Sequence, residues 1–186
     1  MSTKTIPESP EEPPSSMVWV SDEKEVWILL QQQNLHESDN TCTVIGKDGR
    51  VFSVPQSAVH PLDSTHLLNL ADLCEMSNLH EAPLLDVLRR RVSEDNIYTN
   101  TGSVLISINP YKHIDGLYEK PLRYYVPEDQ ESVAAMAPHV YKTANRAYCA
   151  LKAIDCMNQS IVVSGESGAG KTEGKRRKAH AIKNHR

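Results

Sequence analysis

The stretch SIVVSGESGAGKTEGKRRKAH, from Ser160 to His180, constrains this chain more than any other. It holds the pattern G-x-x-x-x-G-K-[ST] at Gly165, Gly170, Lys171 and Thr172, which is that of a phosphate-binding loop. Each residue type has a physical reason. Gly165, Gly168 and Gly170 let the backbone curl, so that successive N–H groups turn toward an anion. Lys171 brings a full positive charge to the outer phosphates, and a helix starting there adds the positive end of its dipole. Thr172 offers a hydroxyl of the kind that binds Mg²⁺ beside phosphate oxygens. The motif calls for a strand directly before it, and the β-branched run Ile161-Val162-Val163 is expected to form one. The plain alternative is a glycine-rich turn without a ligand.

Binding a phosphate is not hydrolysing it. Hydrolysis needs further groups to hold the metal and aim the water, and an acidic metal-side residue normally comes from a later strand. The residues after Thr172 are EGKRRKAHAIKNHR. Their apolar members are Ala179, Ala181 and Ile182, so the expectation is a helix start with little face to bury. The run Lys175-Arg176-Arg177-Lys178 has the form of a nuclear-localisation or nucleic-acid patch. The reading preferred is an atypical basic tail over 174–186, of non-native coding origin.

The rest of the chain gives this loop its setting. With a net charge of -4 and a pI near 6.1, it does not have the character of a general nucleic-acid or membrane-surface binder. No apolar run approaches the ~20 residues of a membrane span. Residues 1–16, rich in Pro, Ser and Glu, read as a disordered leader with no secretory core. The scattered Cys42, Cys74, Cys149 and Cys156 form no CxxC pair, and free thiols are expected. From Met17 to Pro61 short strands alternate with turns, Asp48-Gly49 suiting a tight hairpin, and a small barrel is predicted. Trp19, Trp27, Val44, Val51 and Val54 are its expected core.

Beyond the barrel, SNLHEAPLLDVLRRR reads as a helix capped by Asn78 and Glu81, with Leu84, Leu85 and Leu88 on its apolar face. Arg89, Arg90 and Arg91 are expected at its solvated end. NIYTNTGSVLISINPYK reads as a hairpin whose second strand, Val104 to Ile108, is buried on both faces and ended by Pro110. From Met136 to Asp155 the spacing of Val140, Ala144, Ala147, Tyr148, Leu151 and Ile154 predicts a helix, with Pro138 in its first turn.

NQSIVVSGESGAGKTE (Asn158–Glu173) closely resembles the phosphate loop of myosin motor heads, all eight residues of G-E-S-G-A-G-K-T standing from Gly165 to Thr172. IYTNTGSVLISINPYK (Ile97–Lys112) resembles the strands that lead into that family's purine loop. MAPHVYKTANRAY resembles the helix before the phosphate loop, and DLCEMSNLHEAPLLDVLRRR resembles the start of the motor. Residues 17–61 are similar to the SH3-like domain that precedes many myosin motors. The implied fold is a small SH3-like β-barrel (17–61) followed by an incomplete α/β P-loop NTPase, the N-terminal part of a motor domain (66–173).

That resemblance implies a nucleotide site. Gly165, Glu166, Ser167, Gly168, Ala169, Gly170, Lys171 and Thr172 would hold the phosphates of ATP, with Thr172 on Mg²⁺. Asn109, Pro110 and Tyr111 would border the adenine, with Tyr118 near it; one extra residue stands between Asn109 and Tyr118. The partners implied are ATP and actin filaments, and the location is the cytoplasmic cytoskeleton. The sequence departs from the family pattern at Gly174, and the two switch segments, the actin-binding surfaces, relay, converter and lever are not in it. Two expectations therefore stand together. One is an ATP-driven actin-based motor of which this is the ATP-binding part, with no catalytic residue in this chain. The other is a non-catalytic truncated product or gene-model fragment, acting at most as a nucleotide-binding or SH3-like interaction module.

Overall fold

The computed structural model describes residues 17–36, 39–46, 48–119, 136–152 and 158–183. The leader 1–16, the helix positions Ile154 and Asp155, Cys156 and the last three residues lie outside these. The described chain forms two compact units. One takes in the residues up to Leu68 with Met76–Val87; the other takes in Asn69–Glu75 and the residues from Leu88 onward.

The first unit is a five-stranded antiparallel sheet in the order β4-β3-β2-β1-β5. Its strands are β1 (Met17–Asp22), β2 (Val26–His36), β3 (Thr41–Ile45), β4 (Val51–Pro55) and β5 (Val59–Pro61). A 3-10 turn, Gln56–Ala58, precedes β5, which returns to pair with β1 at Trp19↔His60. A meander whose last strand returns to the first fits an SH3-like barrel. The turn between β3 and β4 is the one the Asp48-Gly49 pair predicts: Gly49 has φ 79° and donates its N–H to the Gly46 carbonyl.

Strand β1 is buried on both faces. Val18 and Val20 join Leu30, Cys42 and Val44 in the barrel core. Trp19 points the other way, as alternation requires, and its indole N–H donates to His66 Nδ1 at 3.2 Å. Of the five expected core residues, Trp19 and Val44 are buried, Trp27 and Val54 are half-buried, and Val51 is 58% exposed. Val51 lies on the edge strand β4, where one neighbour is missing and a β-branched residue is half out of the core.

His66 is held on every side. The Asp63 N–H donates to its Nδ1, and its Nε2–H donates to the Ser77 carbonyl. Asp63 in turn receives the Thr65 N–H, so a capping box closes the 3-10 turn Ser64–Leu67. The capping expected at Asn78 is not what forms. Asn78 has φ 47° and its side-chain amide bonds Asp63. It stands three residues before Glu81, where the helix starts, too far out to cap its first turn.

Helix α1 (Glu81–Ser93) places Pro83 in its first turn. Its most buried residues are Ala82, Pro83, Val87 and Arg91, while Leu84, Leu85 and Leu88 are half-buried. Arg91 corrects the solvated-end reading of the triplet: it is 7% exposed. Its Nε donates to Thr99 Oγ1, one terminal nitrogen to the Tyr98 carbonyl and the other to Asn69 Oδ1. The planar guanidinium serves three acceptors that no aliphatic side chain could satisfy.

In the second unit β6 (Tyr98–Thr101) and β7 (Val104–Ser107) form the predicted hairpin, with Gly102 at φ 58° in the turn. They form a sheet of two strands. Strand β7 is therefore not buried on both faces; Val104 is 62% exposed. Helix α2 (Val140–Lys152) starts two residues after Pro138, capped by His139, whose Nδ1 accepts the Tyr141 N–H. Helix α3 (Lys171–Lys183) packs on α2 and puts Ala181 into a core with Ile97, Tyr98, Val140, Tyr141 and Ala144. The basic segment thus has a usable face after all. A small residue suffices where two helices approach closely.

Residues 158–166 belong to no strand, which corrects the expectation at Ile161–Val163. Ile161 and Val163 line an apolar groove of about 270 Å³ with Ala147, Leu151, Ala179 and Ile182, while Val162 is 88% exposed. The alternation is that of a strand, but a strand exists only through a hydrogen-bonded neighbour.

Two stability outcomes are expected. Replacing Arg91 by Met strands the Tyr98 carbonyl and Thr99 hydroxyl, and denaturant unfolding should show a loss of about 2–4 kcal/mol. His80 packs tilted on His60 at 4.6 Å and edge-on to His66 at 5.4 Å, and both its ring nitrogens are buried without a hydrogen bond. Burial, then the neighbouring His60 and His66, push its pKa from 6.5 down to about 4. The unfolded chain then binds the extra proton between these values, so stability falls as pH drops from 6.5 toward 4. The slope reaches at most about 1.4 kcal/mol per pH unit for this group. Unfolding midpoints across that range should flatten in His80→Phe.

Candidate functional site

The loop between Val163 and α3 is built by its glycines. Gly165 has φ 154°, Gly168 81° and Gly170 85°, all in the region that side chains disfavour. The Ala169 N–H donates to the Glu166 carbonyl, tightening the turn, and Gly174 N–H to the Gly170 carbonyl begins the helix ladder. Helix α3 opens at Lys171, so the loop runs straight into a helix N-terminus, whose first N–H groups point out of the helix ladder. Lys171 folds back over the loop, its ammonium donating to the carbonyls of Gly165 (2.7 Å) and Glu166 (2.6 Å). Glu166, Ser167 and Thr172 are exposed and Ala169 half-buried.

The segment after β7 meets this loop at one atom. Asn109 Nδ2 donates to the Gly168 carbonyl at 2.7 Å, and the Tyr111 hydroxyl reaches the same oxygen at 3.4 Å. Asn109 Oδ1 accepts the Tyr111 N–H, and Tyr111 sits at φ 51°, so Asn109, Pro110 and Tyr111 make a tight corner facing Gly168. A Cβ on Gly168 would come within 3.4 Å of the Tyr111 hydroxyl, and one on Gly170 within 3.9 Å of Asn109. Asn109 and Gly168 are 59 positions apart in the chain, and the fold brings them together.

Tyr118 is placed differently. Its hydroxyl shares a 2.8 Å hydrogen bond with Tyr98, whose phenol burial pushes upward in pKa. The Arg177 guanidinium lies 3.9 Å from its ring centroid. The sequence marks Arg177 only as part of a basic run; its i,i+4 spacing from Glu173, to which it donates at 2.6 Å, is a signal it shares with Arg176 at i,i+3. Glu173 also receives Arg176, and these hydrogen bonds, Arg176 first, hold its carboxyl below the usual range.

Among the described residues no helix is long and apolar enough to cross a membrane, and no group of three or more His, Cys, Asp or Glu could hold a metal by itself. Cys42, Cys74 and Cys149 are free. The groups present fit a phosphate carrying its own Mg²⁺: positive-φ glycines, an ammonium and a hydroxyl at one helix end.

A glycine-curled loop capped by a helix and faced by an Asn-Pro-Tyr corner defines a candidate phosphate-binding site. Residues 70–180 match the profile of the myosin head (motor domain), and the chain belongs to that family. The match runs past Gly174, where the sequence alone suggests a departure. The chain is 37% identical over 134 residues to unconventional myosin-VI of Bos taurus, covering 72% of this chain and 10% of that protein. It is 37% identical over 147 residues to Myosin-4 of Arabidopsis thaliana, covering 79% and 12%. To Myosin-J heavy chain of Dictyostelium discoideum it is 37% identical over 159 residues, covering 84% and 7%. The chain thus spans about a tenth of the length of these curated relatives.

Two glycines should respond oppositely to alanine. Gly168, at φ 81°, should lose about 1–2 kcal/mol as Ala because a side chain is strained there. Gly174 is helical with nothing within 4 Å of a built Cβ, and Gly174→Ala should gain about 1 kcal/mol. Paired thermal melts with near-UV detection read both.

Proposed function

We propose that this chain binds Mg·ATP through residues 165–172, as the nucleotide-binding part of an actin-based myosin motor. The observation that carries this is the meeting of Asn109 and Tyr111 with the loop at Gly168. It would join the proposed base-side segment to the proposed phosphate-side segment. In this reading the loop amides from Gly165 to Gly170 and the N-terminus of α3 receive the phosphates. Lys171 turns from its loop carbonyls to the outer phosphates, and Thr172 offers its hydroxyl to the metal. Bound Mg²⁺ would offset phosphate charge. Asn109, Pro110, Tyr111 and Tyr118 border the base. We further propose an SH3-like domain over 17–61 and the first part of the motor over 66–173, with actin filaments as partner and a cytoplasmic, cytoskeletal location for the whole protein.

A second reading has its own support. Val162 is exposed, and among the described residues no strand forms beside 158–166, so the loop is held by side-chain contacts and by α3 rather than by a sheet. That favours binding without turnover in the 186-residue chain. A fluorescent ATP analogue with Mg²⁺ titrated onto the chain tests both. Lys171→Ala should weaken binding about 10- to 100-fold, as loss of a charged hydrogen bond implies. Unchanged affinity in that variant would sink the nucleotide assignment. Actin-stimulated phosphate release by the purified chain would sink the binding-only reading.

A further inference from the structure

We infer that Arg177 is a positioning residue that sets the base side of this site, by clamping Tyr118 to the helix that continues from the phosphate loop. The inference rests on the proposed nucleotide site and adds the selection of base over bare phosphate.

Four contacts carry it. The Arg177 guanidinium lies over the Tyr118 ring at 3.9 Å from the centroid, well inside the range of an attractive cation–π contact. The Arg177 Nε donates to Glu173 Oε1 at 2.6 Å, which fixes the guanidinium from the α3 side. Tyr118 is fixed at its other end by the 2.8 Å hydrogen bond to Tyr98, a core residue of β6. Tyr98 itself packs on His139 at 5.1 Å, and His139 caps α2. The ring of Tyr118 is thus held between the hairpin and α3.

The axial spacing matters. Arg177 lies six residues after Lys171 on α3, which is about 9 Å along the helix at roughly 1.5 Å per residue. Lys171 and Arg177 therefore share one rigid element. A planar guanidinium spreads over an aromatic face and keeps a hydrogen bond in its plane at the same time. Met at this position would leave the ring packed but remove both charge and fork. Lys would keep the charge over the ring with a looser hold on Glu173.

The consequence is a split between ligands with and without a base. Tripolyphosphate reaches only the loop, Lys171 and the start of α3. ATP also needs the Tyr118 end. The experiment is calorimetric titration of the 186-residue chain with Mg·ATP and with Mg·tripolyphosphate, for the native sequence, Arg177→Met, Arg177→Lys and Lys171→Ala. We expect Arg177→Met to weaken ATP about 2- to 10-fold, the cost of ordering a freed Tyr118 side chain on binding, while tripolyphosphate changes less than about twofold. Arg177→Lys should restore most of the ATP affinity, and Lys171→Ala should weaken both ligands together. Equal loss of both ligands in Arg177→Met would show a merely structural role and overturn the inference, as would unchanged ATP binding. If the native chain discriminates no base at all but binds tripolyphosphate in a Lys171-dependent way, the inference fails while the phosphate site stands. If it binds neither, the nucleotide reading fails and this inference with it.

Discussion

One hydrogen bond organises the candidate site: Asn109 Nδ2 to the Gly168 carbonyl. Gly168 can present that carbonyl because its φ of 81° is open to glycine, and Asn109 reaches it from two residues past the end of β7. The hairpin is itself held by Arg91, which directs its hydrogen bonds to Thr99, the Tyr98 carbonyl and Asn69. A buried cation with three acceptors ties the end of α1 to β6. The placement of Asn109 depends on that tie, because β6 fixes β7 through their pairing.

Unpaired backbone decides where order is supplied from inside and where it is not. In the first unit β1 lies between β2 and β5, and both its faces are covered. In the second unit the apolar run before the loop has the alternation of a strand, with Ile161 and Val163 turned into the groove beside α2 and α3. Among the described residues it pairs into no strand. Side-chain burial on one face and backbone pairing are separate requirements, and this segment meets the first.

The charges of α3 divide in a similar way. Glu173 in the first turn suits the positive helix end, and it gathers Arg176 and Arg177 along one side. A basic run that reads as an undirected patch is therefore partly neutralised within its own helix. Of the remainder, Lys175 and Lys183 are exposed, Lys178 is half-buried beside the groove, and Ala181 forms a buried seam.

Local chemistry was legible in the sequence because it depends on near neighbours. Loop glycines, the Asp48-Gly49 turn, the Asn-Thr-Gly hairpin and the helix over Val140–Lys152 each need only their own backbone preferences and spacing. The eight-residue loop and the corner at Asn109 were legible as a resemblance, and the family is the one the match over 70–180 supports. Only the tertiary structure decided what needs a distant partner. It buried Arg91 among acceptors from other segments, moved Asn78 from a helix cap to Asp63, and left Val51 and Val104 on sheet edges. It also put Arg177 over Tyr118 from a remote part of the chain. Sequence spacing encodes which face a residue takes; what that face meets depends on chain segments that spacing cannot bring together.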